Sequence, residues 1–162
     1  MVEIYTNLFI GDEGDGYSVV GREGWAIVHA AKEPFHREAL GYTGRAAPKE
    51  HAEYLIARRG ERLILNLVDA PDPAYIPQML LDEALKFIHE RLAVGRRVLV
   101  HCNQGESRAP TIGLLYLVAY SDGWPFRGLA FDQAEEVFRE IYPAYAPGAG
   151  MRGAAKAWLE AR

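Results

Sequence analysis

The chain has 162 residues, of which 49% are hydrophobic and 25% are charged. This length and apolar fraction predict one compact domain with a single buried core. The formal net charge is -4, from 18 basic and 22 acidic side chains, and no block of lysines and arginines stands out, so we expect no nucleic-acid partner. The N-terminus lacks a basic segment followed by an apolar stretch, and no apolar run is long enough to cross a bilayer. We therefore expect no membrane association and a cytoplasmic location.

The predicted strands are short, apolar and bounded by turn residues. The first apolar segment, residues 8–10, is followed by the glycine-rich residues 11–16, which we interpret as a surface turn because their carboxylates lack the spacing of a calcium loop. Residues 25–30, 63–68 and 98–101 predict three buried strands. Because these segments are apolar on both faces, they favour a parallel sheet.

Helical patterns separate and follow the strands. Pro48 predicts the start of a weak helix that carries its apolar residues at positions 52–56. Residues 76–92 place apolar side chains at three-to-four-residue spacing, which predicts a helix packed on the sheet. Pro110 lies in the first turn of an apolar helix predicted to run to about Tyr120, where its missing N–H has no intrahelical partner in any case.

Two more amphipathic segments, at residues 134–141 and 155–159, follow a break at residues 122–125 and predict a helical tail. Strands that alternate with helices, and then a helical tail, are typical of an α/β domain. Four histidines, His29, His36, His51 and His89, show no pair spacing typical of zinc. We expect each of them to be a core or surface residue, and we expect no metal site.

Cys102 is the only cysteine, so it has no partner for an intramolecular disulfide, and a lone thiol is either packed or reactive. It lies in the segment HCNQGESR, residues 101–108, between a predicted strand and a proline-started helix. Backbone N–H groups at such a junction can surround an anion, and the helix N-terminus favours the nucleophilic thiolate. Gly105 supplies the freedom for a tight loop, and Arg108 can give phosphate two parallel hydrogen bonds.

The run His-Cys-x5-Arg, here HCNQGESRAPT, resembles the signature loop of the dual-specificity and related protein tyrosine phosphatases. The order of elements over about residues 63–120, and the start at residues 7–11, are also similar to that family. The resemblance implies a phosphotyrosine-phosphatase-like fold, with a central mixed and mostly parallel sheet flanked by helices. Residues 1–162 would then form a single dual-specificity phosphatase-like catalytic domain. Residues 12–60 are not matched to particular elements of that family.

The resemblance also implies a reaction. A phosphate monoester, with phosphotyrosine as the first choice and phosphoserine and phosphothreonine as further possibilities, would be hydrolysed through a phosphoenzyme on Cys102, without metal or organic cofactor. Arg108 would clamp the phosphate, and His101 would support the loop from behind or be a core histidine. The remaining phosphate-binding residues would be Asn103, Gln104, Gly105, Glu106 and Ser107. The expected partner is a phosphorylated protein or a small phosphomonoester, and we expect a monomer.

The leaving group also needs a proton, which the family takes from an aspartate upstream of the cysteine. Asp69 directly follows the predicted strand at residues 63–68, and Asp72 lies three residues further on. A strand end fixes the direction of a side chain, so we favour Asp69 as general acid and keep Asp72 as the alternative. A third interpretation is that both aspartates only cap turns.

Ala109 is a departure from the family, which usually has Ser or Thr after the arginine, where a hydroxyl stabilises the departing thiolate. The departure implies slow breakdown of the phosphoenzyme. It also leaves open the alternative that the chain is a catalytically weak phosphate-binding module. Glu106 adds a negative charge that would repel polyphosphorylated head groups. Two other classes of enzyme also surround a reactive cysteine with an anion-binding loop, but they fit this sequence less well. Rhodanese-like sulfurtransferases need no clamp arginine. Arsenate reductases usually need a resolving cysteine, which this chain lacks.

Overall fold

The computed structural model describes residues 1–162 and centres on a six-stranded sheet. Its strands are β1 (Val2–Tyr5), β2 (Leu8–Gly11), β3 (Trp25–His29), β4 (Ile56–Arg59), β5 (Arg62–Leu65) and β6 (Arg97–His101). The strand order is β1-β2-β6-β3-β5-β4. The inner pairs β2–β6, β6–β3 and β3–β5 are parallel, whereas the outer pairs β1–β2 and β5–β4 are antiparallel. The predicted central sheet, mixed and mostly parallel, is confirmed.

Helices cover both faces of the sheet. They are α1 (Glu13–Val19), α2 (Arg37–Leu40), α3 (Gln78–Ala93), α4 (Arg108–Tyr120), α5 (Phe131–Ile141) and α6 (Ala149–Glu160), with short helical turns at Lys32–His36 and Pro73–Tyr75. Of these helices, none has both the length and the apolar character that crossing a bilayer requires. The helix predicted at residues 76–92, the helix predicted around Pro110 and the two helices of the tail are confirmed.

The two faces of the sheet have different partners. Neighbouring strand residues point to opposite faces, so Ala26 and Val28 join the main core beneath α3 to α6, whereas Trp25 and Ile27 pack with Val19 of α1 on the other face. The central helix α4 is buried on almost every side, from Ala109 to Leu117. This burial fixes the N-terminus of α4 at the carboxyl ends of the parallel strands, where the His101–Arg108 loop lies.

The helix predicted to begin at Pro48 is wrong. Residues 48–55 form turns, and Ile56 begins the edge strand β4, in which it pairs with Leu65 of β5. Ile56 is β-branched and packs against the main core from that strand, so pairing along a sheet edge outweighs a weak helical spacing.

The surface turn expected at residues 11–16 is also wrong, because α1 begins there. Asp12 caps the helix: its carboxylate accepts from the Asp15 N–H at 3.0 Å, and the Asp12 N–H donates to the Asp15 carboxylate at 2.9 Å. Gly16 is helical, and a Cβ at this position would lie 2.6 Å from Nε2 of His101. The glycine that suggested a turn is therefore explained by close packing of α1 on the signature loop.

Candidate active site

The signature loop follows β6 and leads directly into α4. His101 is the last residue of β6, and Arg108 is the first residue of α4. Pro110 lies in the first turn of α4, where no intrahelical acceptor exists for an N–H. Strand, loop and helix N-terminus thus occur in the order that surrounds an anion with backbone donors.

Gly105 gives the loop its tight turn. Its φ is +73°, and a Cβ there would lie 3.1 Å from the carbonyl oxygen of Gly11. The Tyr142 hydroxyl donates to the Gly105 carbonyl at 2.6 Å. Burial, followed by the electrostatic effect of the nearby Cys102, raises the pKa of Tyr142 to about 12, so this hydroxyl keeps its proton. The loop conformation therefore depends on a glycine at this position.

Cys102 lies at a pocket of about 310 Å³ and is only 2% exposed. Besides Cys102, the pocket is lined by the loop residues Asn103, Gln104, Glu106, Ser107 and Arg108, by Asp69, and by the segment Ala146, Pro147 and Gly148. The structure thus brings the predicted nucleophile, clamp and favoured acid to one cavity.

Arg108 is held from both ends of its guanidinium. Its Nη1 donates to the Leu67 carbonyl at 3.0 Å, and its Nη2 donates to the Asn103 side-chain oxygen at 2.6 Å. Its Nε is buried and has no hydrogen-bond partner in the protein. A buried donor without a partner is rare in folded proteins, and Arg108 is one of the residues that line the pocket.

Asp69 and Asp72 have different surroundings. Asp69 lines the pocket and accepts from the Ser107 hydroxyl at 3.1 Å, while that hydroxyl accepts from the Gly148 N–H at 2.8 Å. Asp72 caps the helical turn at Pro73–Tyr75 by accepting from the Ala74 N–H at 2.9 Å, and it does not line the pocket. Of the two candidate acids, only Asp69 is at the cavity.

His101 is completely buried behind the loop. Its Nδ1 lies 3.1 Å from the carbonyl oxygen of Cys102, and its Nε2 lies 2.5 Å from Nδ1 of His29. Burial lowers the pKa of His101 below its usual value. From the sequence, His29 is expected to be only a core or surface residue, and its contact with His101 adds it to the candidate site.

Three further hydrogen bonds support the loop, and the sequence alone does not indicate them. The Asn103 side-chain N–H donates to the Glu33 carbonyl at 2.8 Å, and the Glu13 N–H donates to the Asn103 carbonyl at 3.1 Å. On the opposite side, the Ala146 N–H donates to the Glu106 carbonyl at 2.8 Å. These contacts join segments far apart in the chain, and no local pattern signals them.

The comparison with known sequences gives a partial match. No family model matches the chain. The chain is 33% identical over 88 residues to dual specificity protein phosphatase 1 of Arabidopsis thaliana, in a segment that covers 54% of this chain. The match spans 40% of that relative, well under half of its length.

Solved structures with a similar fold cover nearly the whole chain. DUSP15 has a TM-score of 0.65 at 19% identity, with coverage of 98% of this chain and 86% of that chain. Human DUSP28 also has a TM-score of 0.65 at 19% identity, with coverage of 99% and 93%. A human tyrosine phosphatase-like serine/threonine/tyrosine-interacting protein has a TM-score of 0.64 at 18% identity, with coverage of 98% and 95%. The predicted phosphotyrosine-phosphatase-like fold is confirmed.

Proposed function

We propose that this chain, which has the fold and the signature loop of the dual-specificity and protein tyrosine phosphatase superfamily, hydrolyses phosphate monoesters through a cysteinyl-phosphate intermediate. The observation that carries the proposal is the unpartnered, buried Nε–H of Arg108 in a pocket that also contains Cys102. Leaving such a donor without an acceptor costs about 1–3 kcal/mol. A phosphate oxygen would remove this cost, and the nearby sulfur would then be close to phosphorus.

The proposed reaction has two steps. In the first, the Cys102 thiolate attacks phosphorus, the S–P bond forms, the bond from phosphorus to the leaving oxygen breaks, and protonated Asp69 gives its proton to that oxygen. In the second, water attacks phosphorus, the S–P bond breaks, and Asp69 takes a proton from the water. The products are phosphate and the free thiolate. Arg108 offsets the charge that develops on the phosphoryl oxygens in both steps.

The surroundings of Asp69 support its role as general acid. The Ser107 hydroxyl, which itself accepts from the Gly148 N–H, donates to this carboxyl group and holds it at the pocket. The carboxyl group of Asp72 is committed to capping a helical turn, which makes Asp72 the weaker candidate. We therefore retain Asp69 for proton transfer.

Phosphotyrosine on a protein is the substrate class that we propose first, with phosphoserine and phosphothreonine as further substrates. The pocket has only one lining arginine, and Asp69 and Glu106 line it as well. This balance suits a single phosphate group and disfavours polyphosphorylated molecules. A monomer and a cytoplasmic location stay predictions from the sequence.

A phosphate-binding module with little turnover is the second candidate, and Ala109 is the observation that favours it. Ala109 is completely buried in the first turn of α4 and offers no hydroxyl to the sulfur. The two candidates share a binding pocket and differ in whether the phosphoenzyme breaks down.

Hydrolysis of para-nitrophenyl phosphate, with a metal chelator present throughout, tests the proposal. We expect turnover by the wild type and none by Cys102→Ser, which should still bind vanadate because serine keeps the shape of the loop. Arg108→Lys should be severely impaired, since a point charge cannot replace a planar two-pronged donor. Activity of Cys102→Ser above a few per cent of wild type would contradict the proposed nucleophile. Stoichiometric release of para-nitrophenol without further turnover would favour the binding module.

A further inference from the structure

Three polar side chains form a row that leads to Cys102 from the α1 face of the sheet. Nε of Arg62 lies 2.9 Å from Nε2 of His29, and Nδ1 of His29 lies 2.5 Å from Nε2 of His101. Nδ1 of His101 then lies 3.1 Å from the carbonyl oxygen of Cys102. The sheet sets this row, because His29 and His101 are direct partners in the parallel register of β3 and β6.

Arg62 assigns a direction to every hydrogen bond in the row. A guanidinium is only a donor, so Nε2 of His29 must be the acceptor. A neutral His29 then has its proton on Nδ1 and donates it to Nε2 of His101. His101 in turn has its proton on Nδ1 and donates it to the carbonyl oxygen of Cys102. All the N–H groups therefore point towards the signature loop.

Both imidazoles are kept neutral by their surroundings. Burial, then the positive charges possible on His101 and Arg62, lower the pKa of His29 to about 2. His101 is buried as well, and its carboxylate neighbours Asp12, Glu13 and Asp15 only partly oppose the effect of burial. The ring of Phe35 stacks on His29 at 4.5 Å and meets His101 edge-on at 4.7 Å. The row therefore carries a positive charge on Arg62 only, and neither imidazole is charged.

We propose that Arg62 and His29 are positioning residues for the nucleophile, acting through His101. They fix one tautomer of His101, so that its Nδ1–H holds the carbonyl of Cys102 and the sulfur stays aligned with the pocket. Hydrogen bonds arranged head to tail strengthen one another in a region of low dielectric constant. The aligned N–H dipoles also favour negative charge at the start of the loop. The inference rests on the proposed function, because it assigns these residues to the same nucleophile.

The first test is a direct measurement of the tautomers in the wild-type protein. Side-chain ¹⁵N NMR should show His29 and His101 each protonated at Nδ1 and unprotonated at Nε2. Protonation of His29 at Nε2 would overturn the proposal without any variant. This measurement requires no enzymatic activity.

The second test uses Arg62→Met, which keeps the length of the side chain and removes the donor. We expect the single tautomer of His29 to be lost and the rate of Cys102 alkylation by iodoacetamide to fall about 10-fold. The kcat/KM for para-nitrophenyl phosphate should fall by a similar factor, which is within the range of outer-layer effects at other sites. Arg62→Lys should partly restore both rates, since its ammonium also donates. Ile27→Val, a change at the partner of Arg62 in β3, is the matched control and should leave both rates unchanged.

The outcomes separate the two proposals. Wild-type alkylation and kcat/KM in folded Arg62→Met would overturn the positioning role, even if Cys102→Ser is inactive. The positioning role would also be overturned if both rates fell only in proportion to the unfolded fraction of Arg62→Met while the tautomers stayed unchanged. Such a result would show that Arg62 only stabilises the fold. If Arg62→Met does not fold, His29→Asn in the same assays should give the same 10-fold losses, and wild-type rates in that variant would refute the role. Full activity of Cys102→Ser would instead remove the proposed function.

Discussion

Replacing His29 by Asn should make the stability of the protein less dependent on pH between pH 8 and pH 5.5. Burial lowers the pKa of His29 from 6.5 to about 2 in the folded state. As the pH falls, the unfolded chain therefore takes up a proton that the folded chain refuses. The stability that neutral His29 contributes is present above pH 6.5 and is lost as the pH falls below it. Asparagine binds no proton in either state and removes this loss.

The size of the effect follows from the two pKa values. At pH 5.5, one unit below the unfolded pKa, the wild type loses about 1.4 kcal/mol through His29 relative to pH 8. The buried His101 and His36, whose pKa values are also lowered, add losses of the same sign. Carboxylates with a lowered pKa, such as Glu33, titrate from 4.5 downwards and contribute little in this window. The variant should therefore lose about 1.4 kcal/mol less than the wild type.

Urea unfolding followed by circular dichroism at pH 8, 6.5 and 5.5 gives the required free energies. Val28→Ala is the matched control, because it destabilises the same strand and removes no titratable group. Its pH dependence should equal that of the wild type. If His29→Asn also keeps the wild-type pH dependence, then His29 is not buried as a neutral imidazole and the reasoning fails.

Three further predictions concern the loop and the proton donor. Gly105→Ala should keep the fold but weaken vanadate binding at least about 10-fold in a competition assay. The reason is that a Cβ at φ +73° would lie 3.1 Å from a backbone carbonyl oxygen. Wild-type affinity in this variant would show that the loop does not need a glycine at this position. Asp69→Asn should lower kcat on alkyl phosphates by about 10²–10⁴-fold and remove the basic limb of the pH profile. Asp72→Asn should leave both kcat and stability close to wild type, because asparagine caps a helical turn about as well as aspartate; the reverse result would move the acid to Asp72. Because Ala109 should make breakdown of the phosphoenzyme slow, the wild type should release a burst of phenol from an aryl phosphate in rapid mixing. Ala109→Ser should raise the steady-state rate and shrink that burst, and an unchanged kcat that depends on the leaving group would show that the first step is limiting.

The sequence predicted those parts of the site that are close together in the chain. Cys102 and Arg108 are six positions apart, and the strand before them and the proline after them fix their setting. Asp69 is favoured because it directly follows the strand predicted at residues 63–68, but β5 ends at Leu65, so the loop after the strand, and not the strand end, places Asp69 at the pocket. The apolar runs likewise predicted the parallel centre of the sheet, because burial on both faces leaves a continuous apolar pattern.

Contacts set by tertiary packing could not be predicted in the same way. His29 and His101 are 72 positions apart, and only the register of β3 and β6 makes them neighbours. The glycines around α1 suggested a turn, because the sequence does not reveal that Gly16 makes room for an imidazole. The strand β4 was mistaken for a helix, because an edge strand has a partner on one side only and carries a weak apolar pattern.

The signature loop is held partly by residues that follow α5, so these contacts form late in the synthesis of the chain. A nascent chain that ends at residue 141 already contains Cys102, Arg108 and Asp69. It lacks Tyr142 and the 146–148 segment, which hold the Gly105 and Glu106 carbonyls and the Ser107 hydroxyl. The hydrogen bonds that hold the signature loop can therefore be completed only after the connection between α5 and α6 has been synthesised. Until then the chain contains the proposed nucleophile without the contacts that hold the signature loop around the pocket.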